Sequence, residues 1–196
     1  ARLWALSNVE RDKLAVAEVD LAVGTEKLLA EDAEVDLDYG VFPPQQGAPL
    51  SYVSEPGRPR ISYLDTALAS EVTGAVKTAR ERGWLEAEPV ITRPASMAND
   101  VRRMVLRSTT ENESVELLLD RASGQLTRLT PPREPTAELF SPMEPFSFKA
   151  SDGLVVHGYL VRPLGVKGPA PLGVNIHGGP WVPDSWESAG FSPPQL

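Results

Sequence analysis

The chain has 196 residues, of which 41% are hydrophobic and 23% charged, a composition ordinary for one or two globular domains with a sizeable core. Its net charge of −8 argues against a nucleic-acid partner, because phosphate recognition needs a basic patch. The absence of cysteine excludes disulfides and thiolate metal sites, and no apolar run reaches the roughly 18 residues that a membrane-spanning helix requires.

The 19 prolines and 15 glycines point to many turns rather than long helices. Residues 2–7 and 14–20 read as strands. The second leads through Leu21-Ala22-Val23-Gly24 into Glu26-Lys27-Leu28-Leu29, a hairpin in which Gly24 supplies a positive φ. A second copy of this pattern runs from Val115 through Asp120 and Gly124 to Leu129. Both copies follow the spacing Asp-x3-Gly-x4-Leu, at Asp20, Gly24, Leu29 and at Asp120, Gly124, Leu129. Repeated hairpins of this kind suit the blades of a β-propeller, with at least one further blade between the copies. Two unrelated hairpins with ordinary turn chemistry explain the same residues.

Between the copies, Leu68, Val72, Ala75, Val76 and Ala79 share one helical face, which predicts a surface helix from Asp65 to Arg82. Asp65 or Thr66 can cap its start and Gly83 its end. Arg58-Pro59-Arg60 reads as a solvated loop rather than an anion site. Prolines 131, 132, 135, 142 and 145 make residues 130–145 a linker, with a domain boundary near residue 140. After it, residues 146–150 and 154–161 read as two strands joined by Ser151-Asp152-Gly153. Residues 165–171 form a loop, and Leu172-Gly173-Val174-Asn175-Ile176 reads as a short buried strand running into His177-Gly178-Gly179-Pro180.

Enzymes of acyl transfer must stabilise a negative oxygen, and backbone N–H groups aimed at it do this well. Successive glycines allow the unusual backbone and the close approach such a loop needs. A strand ending in His-Gly-Gly is the α/β-hydrolase form of this device. A plain turn after a strand is the simpler alternative, and the strand before the motif together with Trp181 after it favours the hydrolase reading.

Residues 143–196 resemble the start of the catalytic domain in the prolyl-oligopeptidase family of serine peptidases, in its acylaminoacyl-peptidase-like branch. The matching stretches are Glu144 to Gly153, Gly158-Tyr159-Leu160, Pro163, Pro171-Leu172, His177 to Trp181, Asp184-Ser185-Trp186, and Phe191 to Leu196 at the entry to a helix. Residues 1–140 are similar, less sharply, to the last part of that family's propeller, through Arg58-Pro59-Arg60, Leu64-Asp65 and the two hairpins. The resemblance implies a mixed fold: C-terminal blades of a β-propeller over 1–140, then the first strands of a truncated α/β-hydrolase fold over 141–196. It implies Gly179 as an oxyanion donor through its backbone N–H, with Gly178 shaping the loop. Relatives commonly carry an arginine before the aspartate where this chain has Pro183, so any ion pair of that arginine is absent.

No Gly-x-Ser-x-Gly pentapeptide occurs, and the serine, acid and base should all follow the oxyanion loop. Ser123 fits a hairpin turn better than a nucleophile, Ser185 lacks the elbow glycines, and Asp184 comes too early to be the triad acid. His177 reads as a brace for the loop, and His157 as a strand residue facing solvent or a neighbouring segment. Glu10 and Asp12 read as loop charges, and no metal-ligand spacing or phosphate loop is present, so no cofactor is expected. The opening at Ala1-Arg2-Leu3-Trp4 and the stop at Gln195-Leu196 read as cut ends, which leaves the compartment illegible. The expectation is a fragment of a serine peptidase, inactive by itself, whose partners are a peptide substrate and the rest of its own chain. Oligomerisation is left open. A related esterase or acyl hydrolase, or a non-catalytic propeller module that binds a partner, are the alternatives.

Overall fold

The structure is a computed structural model that describes residues 1–40, 42, 43, 47–85, 91–109, 114–131, 141–176, 178, 179 and 184–186. Among these are one helix and twelve strands, and the strands form four separate antiparallel sheets. Every sheet is built from strands adjacent in sequence, and no closed sheet occurs among the described residues.

The first sheet has the order β1 (Arg2–Ser7), β2 (Ala15–Asp20), β3 (Thr25–Ala30). Ala15, Val16 and Ala17 are all fully buried. Since successive strand residues point to opposite faces, both faces of β2 are covered where it begins. The expected hairpin between β2 and β3 is present, with Gly24 at φ +70 and its N–H donating to the Asp20 carbonyl at 2.8 Å. The second sheet comprises β4 (Leu37–Tyr39), β5 (Ser51–Ser54) and β6 (Arg60–Tyr63).

Helix α1 (Thr66–Glu81) follows directly. Asp65 caps it by accepting the Leu68 N–H at 3.0 Å, and Arg82 and Gly83 close its C-terminal turn with N–H bonds to the Thr78 and Arg80 carbonyls. Of the stripe read from the sequence, Leu68, Val72, Ala75 and Ala79 are buried, while Val76 is partly so. They pack on a four-stranded meander, β7 (Ile91–Met97), β8 (Arg103–Thr109), β9 (Ser114–Asp120) and β10 (Gln125–Arg128). On β8 and β9 burial alternates strictly, so Met104, Leu106, Val115, Leu117 and Leu119 face the helix together with Leu126 of β10. Fully burying one such side chain contributes about 1.5–3 kcal/mol. Two arginines fasten helix to sheet. Arg121 grips Glu71 through both ends of its fork, at 2.5 and 3.1 Å, and Arg82 donates to the Leu126 carbonyl at 2.9 Å.

The turn between β9 and β10 repeats the one between β2 and β3. Gly124 has φ +70, its N–H meets the Asp120 carbonyl at 2.8 Å, and the Asp120 side chain accepts from Ala122 and Ser123, both at 3.1 Å. Asp20 likewise accepts from Ala22 at 2.9 Å. These bonds, led by the Ser123 N–H, hold the Asp120 carboxyl below the ordinary aspartate range. Ser123 is therefore a turn residue, as its sequence context implied.

The last sheet is the hairpin β11 (Met143–Lys149) and β12 (Val155–Val161), turned by Asp152-Gly153. β11 begins inside the stretch read as linker, because Glu144 and Pro145 pair with Leu160 and Tyr159. Pro145 can sit there since its sheet has only these two strands and leaves an edge on each. The boundary near residue 140 lies outside the described residues.

One expectation is overturned. Leu172 to Ile176 form no strand, and Leu172, Val174 and Ile176 are 78%, 75% and 82% exposed. The run has the composition of a buried strand, but among the described residues no strand pairs with it. Without a ladder there is no sheet face to bury its side chains.

The two repeated turns make a matched pair for mutation. A Cβ at Gly24 or Gly124 would meet nothing within 4 Å, so alanine costs only the left-handed backbone, about 1–2 kcal/mol. Gly24→Ala and Gly124→Ala should each lower the urea unfolding midpoint of the chain by a corresponding amount. A loss at one turn with none at the other breaks their equivalence.

Candidate functional site

The hairpin β11–β12 leads toward the glycine pair. Its exposed face carries Phe146 and Phe148, whose rings stack with centroids 6.2 Å apart. His157 is exposed on β12 opposite Ser147, as expected of a strand residue facing outward. Beyond β12, residues 162–176 form no strand or helix, and Gly178 and Gly179 are both exposed. Gly179 has φ +155, a value that side-chain-bearing residues rarely adopt. His177, Pro180, Trp181 and Pro183 lie outside the described residues.

A few residues further on the chain is anchored. The Trp186 side chain is fully buried, and its backbone N–H donates to Glu55 Oε1 at 2.5 Å. The same oxygen receives the Tyr159 hydroxyl from β12 at 2.8 Å. That hydroxyl also lies 2.5 Å from the Gly57 carbonyl, so its single proton faces two acceptors. The Arg58 guanidinium sits over the Trp186 ring, 5.3 Å from its centroid. Arg58 is exposed on its loop, as read from the sequence, and there it covers the Trp186 ring. Glu55, Gly57 and Arg58 all belong to the short loop between β5 and β6. Burial, then the hydrogen bond and the charge of Glu55, raise the Tyr159 phenol well above its ordinary range.

Beside this cluster is a polar cleft of about 360 Å³, lined by Glu34, Arg58, Arg60, Pro145, Phe146 and His157 among others. A second, more apolar cleft of about 540 Å³ lies between α1 and β6, lined by Ile61, Tyr63, Val72 and Val76 with Lys77 and Arg80. Burial pushes the Tyr63 phenol there up to about 12. Among the described residues no group of three or more histidines and carboxylates could hold a metal ion, and no helix is long and apolar enough to cross a membrane.

In the sequence Tyr159 and Trp186 stand out only as parts of stretches that carry the family resemblance, and Glu55 does not stand out at all. Glu55 stands in Ser-Glu-Pro-Gly, a loop signature with no local sign of a partner. Its bonds reach 104 and 131 positions along the chain.

Over 191 residues the chain is 24% identical to dipeptidyl aminopeptidase BIII of Pseudoxanthomonas mexicana. The match takes in 93% of this chain and 27% of that protein, so the chain spans about a quarter of its relative. No family model and no solved structure matches the chain. The distant similarity supports a peptidase-like origin.

The Tyr159 environment gives a test with a definite sign. Folding favours the neutral phenol, so the stability it confers is complete below the unfolded value near 10 and is lost as pH rises through the raised native value. Tyr63 acts in the same direction. The urea midpoint should fall as pH climbs above about 10, and Tyr159→Phe should flatten that fall. An unchanged slope in the variant would show that Tyr159 is not held as described.

Proposed function

We infer that this chain is a segment of a serine peptidase that hydrolyses peptide bonds by Ser-His-Asp acylation. In this reading residues 1–140 are the C-terminal part of a β-propeller, and residues 141–196 begin the α/β-hydrolase domain. The similarity to a dipeptidyl aminopeptidase along nearly the whole chain carries the reading. Two features support it. The meander β7–β10 has the four antiparallel strands of a propeller blade. The Asp-x3-Gly turn recurs in two sheets with the same backbone.

The chemistry follows from the loop. A serine outside this segment attacks the scissile carbonyl, a histidine takes its proton, and an aspartate orients the histidine. The carbonyl oxygen becomes an anion in the tetrahedral intermediate. The Gly179 N–H is one donor to that anion, and the N–H following the nucleophile is the other. Gly178 shapes the loop so that substrate approaches the backbone without a Cβ between them. Each such donor contributes about 3–4 kcal/mol to the transition state. The propeller restricts which peptides reach the site.

The protein that contains this segment should carry Gly-x-Ser-x-Gly, then Asp, then His within roughly 150–200 residues after Leu196. It should bind a fluorophosphonate probe at that serine and cleave a dipeptidyl anilide in preference to a simple ester. The 196-residue polypeptide alone should do neither. Gly179→Pro, which deletes the donor and also forbids the φ of +155, should lower kcat of the full protein by at least roughly 10²-fold. Preference for the ester would favour an acyl hydrolase. Failure of the full protein to label would leave a binding module.

A further inference from the structure

Described residues on either side of the glycine pair converge on one carboxylate oxygen. Tyr159, on β12, and Trp186, beyond the glycines, both bond to Glu55 Oε1, at 2.8 and 2.5 Å. Gly178 and Gly179 lie between these two anchors. So do residues 162–176, which form no strand and are exposed throughout. Closing a loop of this length restricts a large ensemble, and the cost of closure grows only slowly with length. A carboxylate acceptor suits the task because bonds to it are shorter and about twice as strong as neutral ones.

The anchor belongs to a different sheet. The loop between β5 and β6 supplies Glu55 as acceptor for the Trp186 N–H, Glu55 and the Gly57 carbonyl as the two acceptors that share the Tyr159 proton, and the Arg58 guanidinium to the face of Trp186. Three residues within four positions thus hold two points of a segment more than 100 residues away. The Trp186 indole, fully buried, fixes the second point against rotation.

We propose that Glu55 is a positioning residue for the oxyanion loop: by holding Tyr159 and the Trp186 N–H at one oxygen, it sets the direction of the Gly179 N–H. The proposal rests on the oxyanion role inferred for Gly179. An oxyanion donor works only if it is aimed at where the charge develops, and a misplacement of about 1 Å can cost on the order of 10²-fold in rate. Glu55 touches no substrate in this scheme. Its effect passes through the segment it tethers, so it should appear in kcat rather than in KM.

The test uses the full-length protein with a dipeptidyl anilide as substrate. Glu55→Ala should lower kcat about 10–100-fold and change KM less than about threefold. Glu55→Gln keeps an acceptor oxygen for the Trp186 N–H and should recover most of the rate. Amide hydrogen exchange in the peptide covering 178–186 should quicken in the alanine variant and stay near wild type in the glutamine variant. A wild-type kcat in Glu55→Ala, or a loss confined to KM, overturns the positioning role and leaves the peptidase reading standing. Should the alanine variant not fold, Tyr159→Phe takes its place. It removes one of the two anchors, so a lowered kcat beside a near-normal Glu55→Gln supports the proposal, and wild-type rates in both overturn it. A wild-type protein that neither labels with a fluorophosphonate nor turns over substrate overturns both readings together.

Discussion

Antiparallel strands joined by short turns satisfy their backbone groups with their nearest neighbours in sequence. All four sheets among the described residues are built that way, so each closes most of its hydrogen bonds locally. One backbone bond, from the Leu37 N–H to the Leu14 carbonyl at 2.9 Å, links the first two sheets, and most of the remaining organisation above the level of a sheet involves side chains. Two sets stand out. Apolar residues of α1 and β8–β10 join a helix to a sheet, with Arg121–Glu71 and Arg82 at the margin. Glu55, Gly57 and Arg58 join the β5–β6 loop to the segment that carries the glycine pair.

The two sets differ in kind. The first is broad and non-directional, made of area removed from water, and it tolerates small shifts of the helix. The second is narrow and directional. It depends on one oxygen accepting two donors and on a guanidinium lying over an indole ring. Directional contacts are suited to aiming a backbone group, whereas apolar burial is suited to fixing a scaffold.

What the sequence made legible follows the same division. Local signals succeeded: Asp65 and Gly83 bracket α1, its apolar stripe faces the core, and Asp20-x3-Gly24 and Asp120-x3-Gly124 make one turn twice. Each rests on neighbours within a few residues, where spacing and stereochemistry determine the outcome. Leu172 to Ile176 misled, because an apolar run specifies a wish for burial but not the strands that would provide it. Glu55 was invisible for a related reason. A carboxylate in a Pro-Gly loop looks solvated, and nothing periodic connects it to Tyr159 or Trp186. The reading of the glycine pair rests on its residue types rather than on its neighbours in space.

The helix laid across β7–β10 has a consequence for how sheets can stack. A sheet has two faces, and α1 occupies one of them with Leu68, Val72, Ala75 and Ala79. Any sheet that packs against β7–β10 in layers must use the opposite face, where Val105 and Leu118 stand beside the cross-strand pair Arg107–Glu116. The layering is therefore one-sided at this point. That opposite face is a mixed surface, apolar at Val105 and Leu118 and carrying an ion pair whose two charges meet at 2.8 Å, so covering it would mean desolvating that pair.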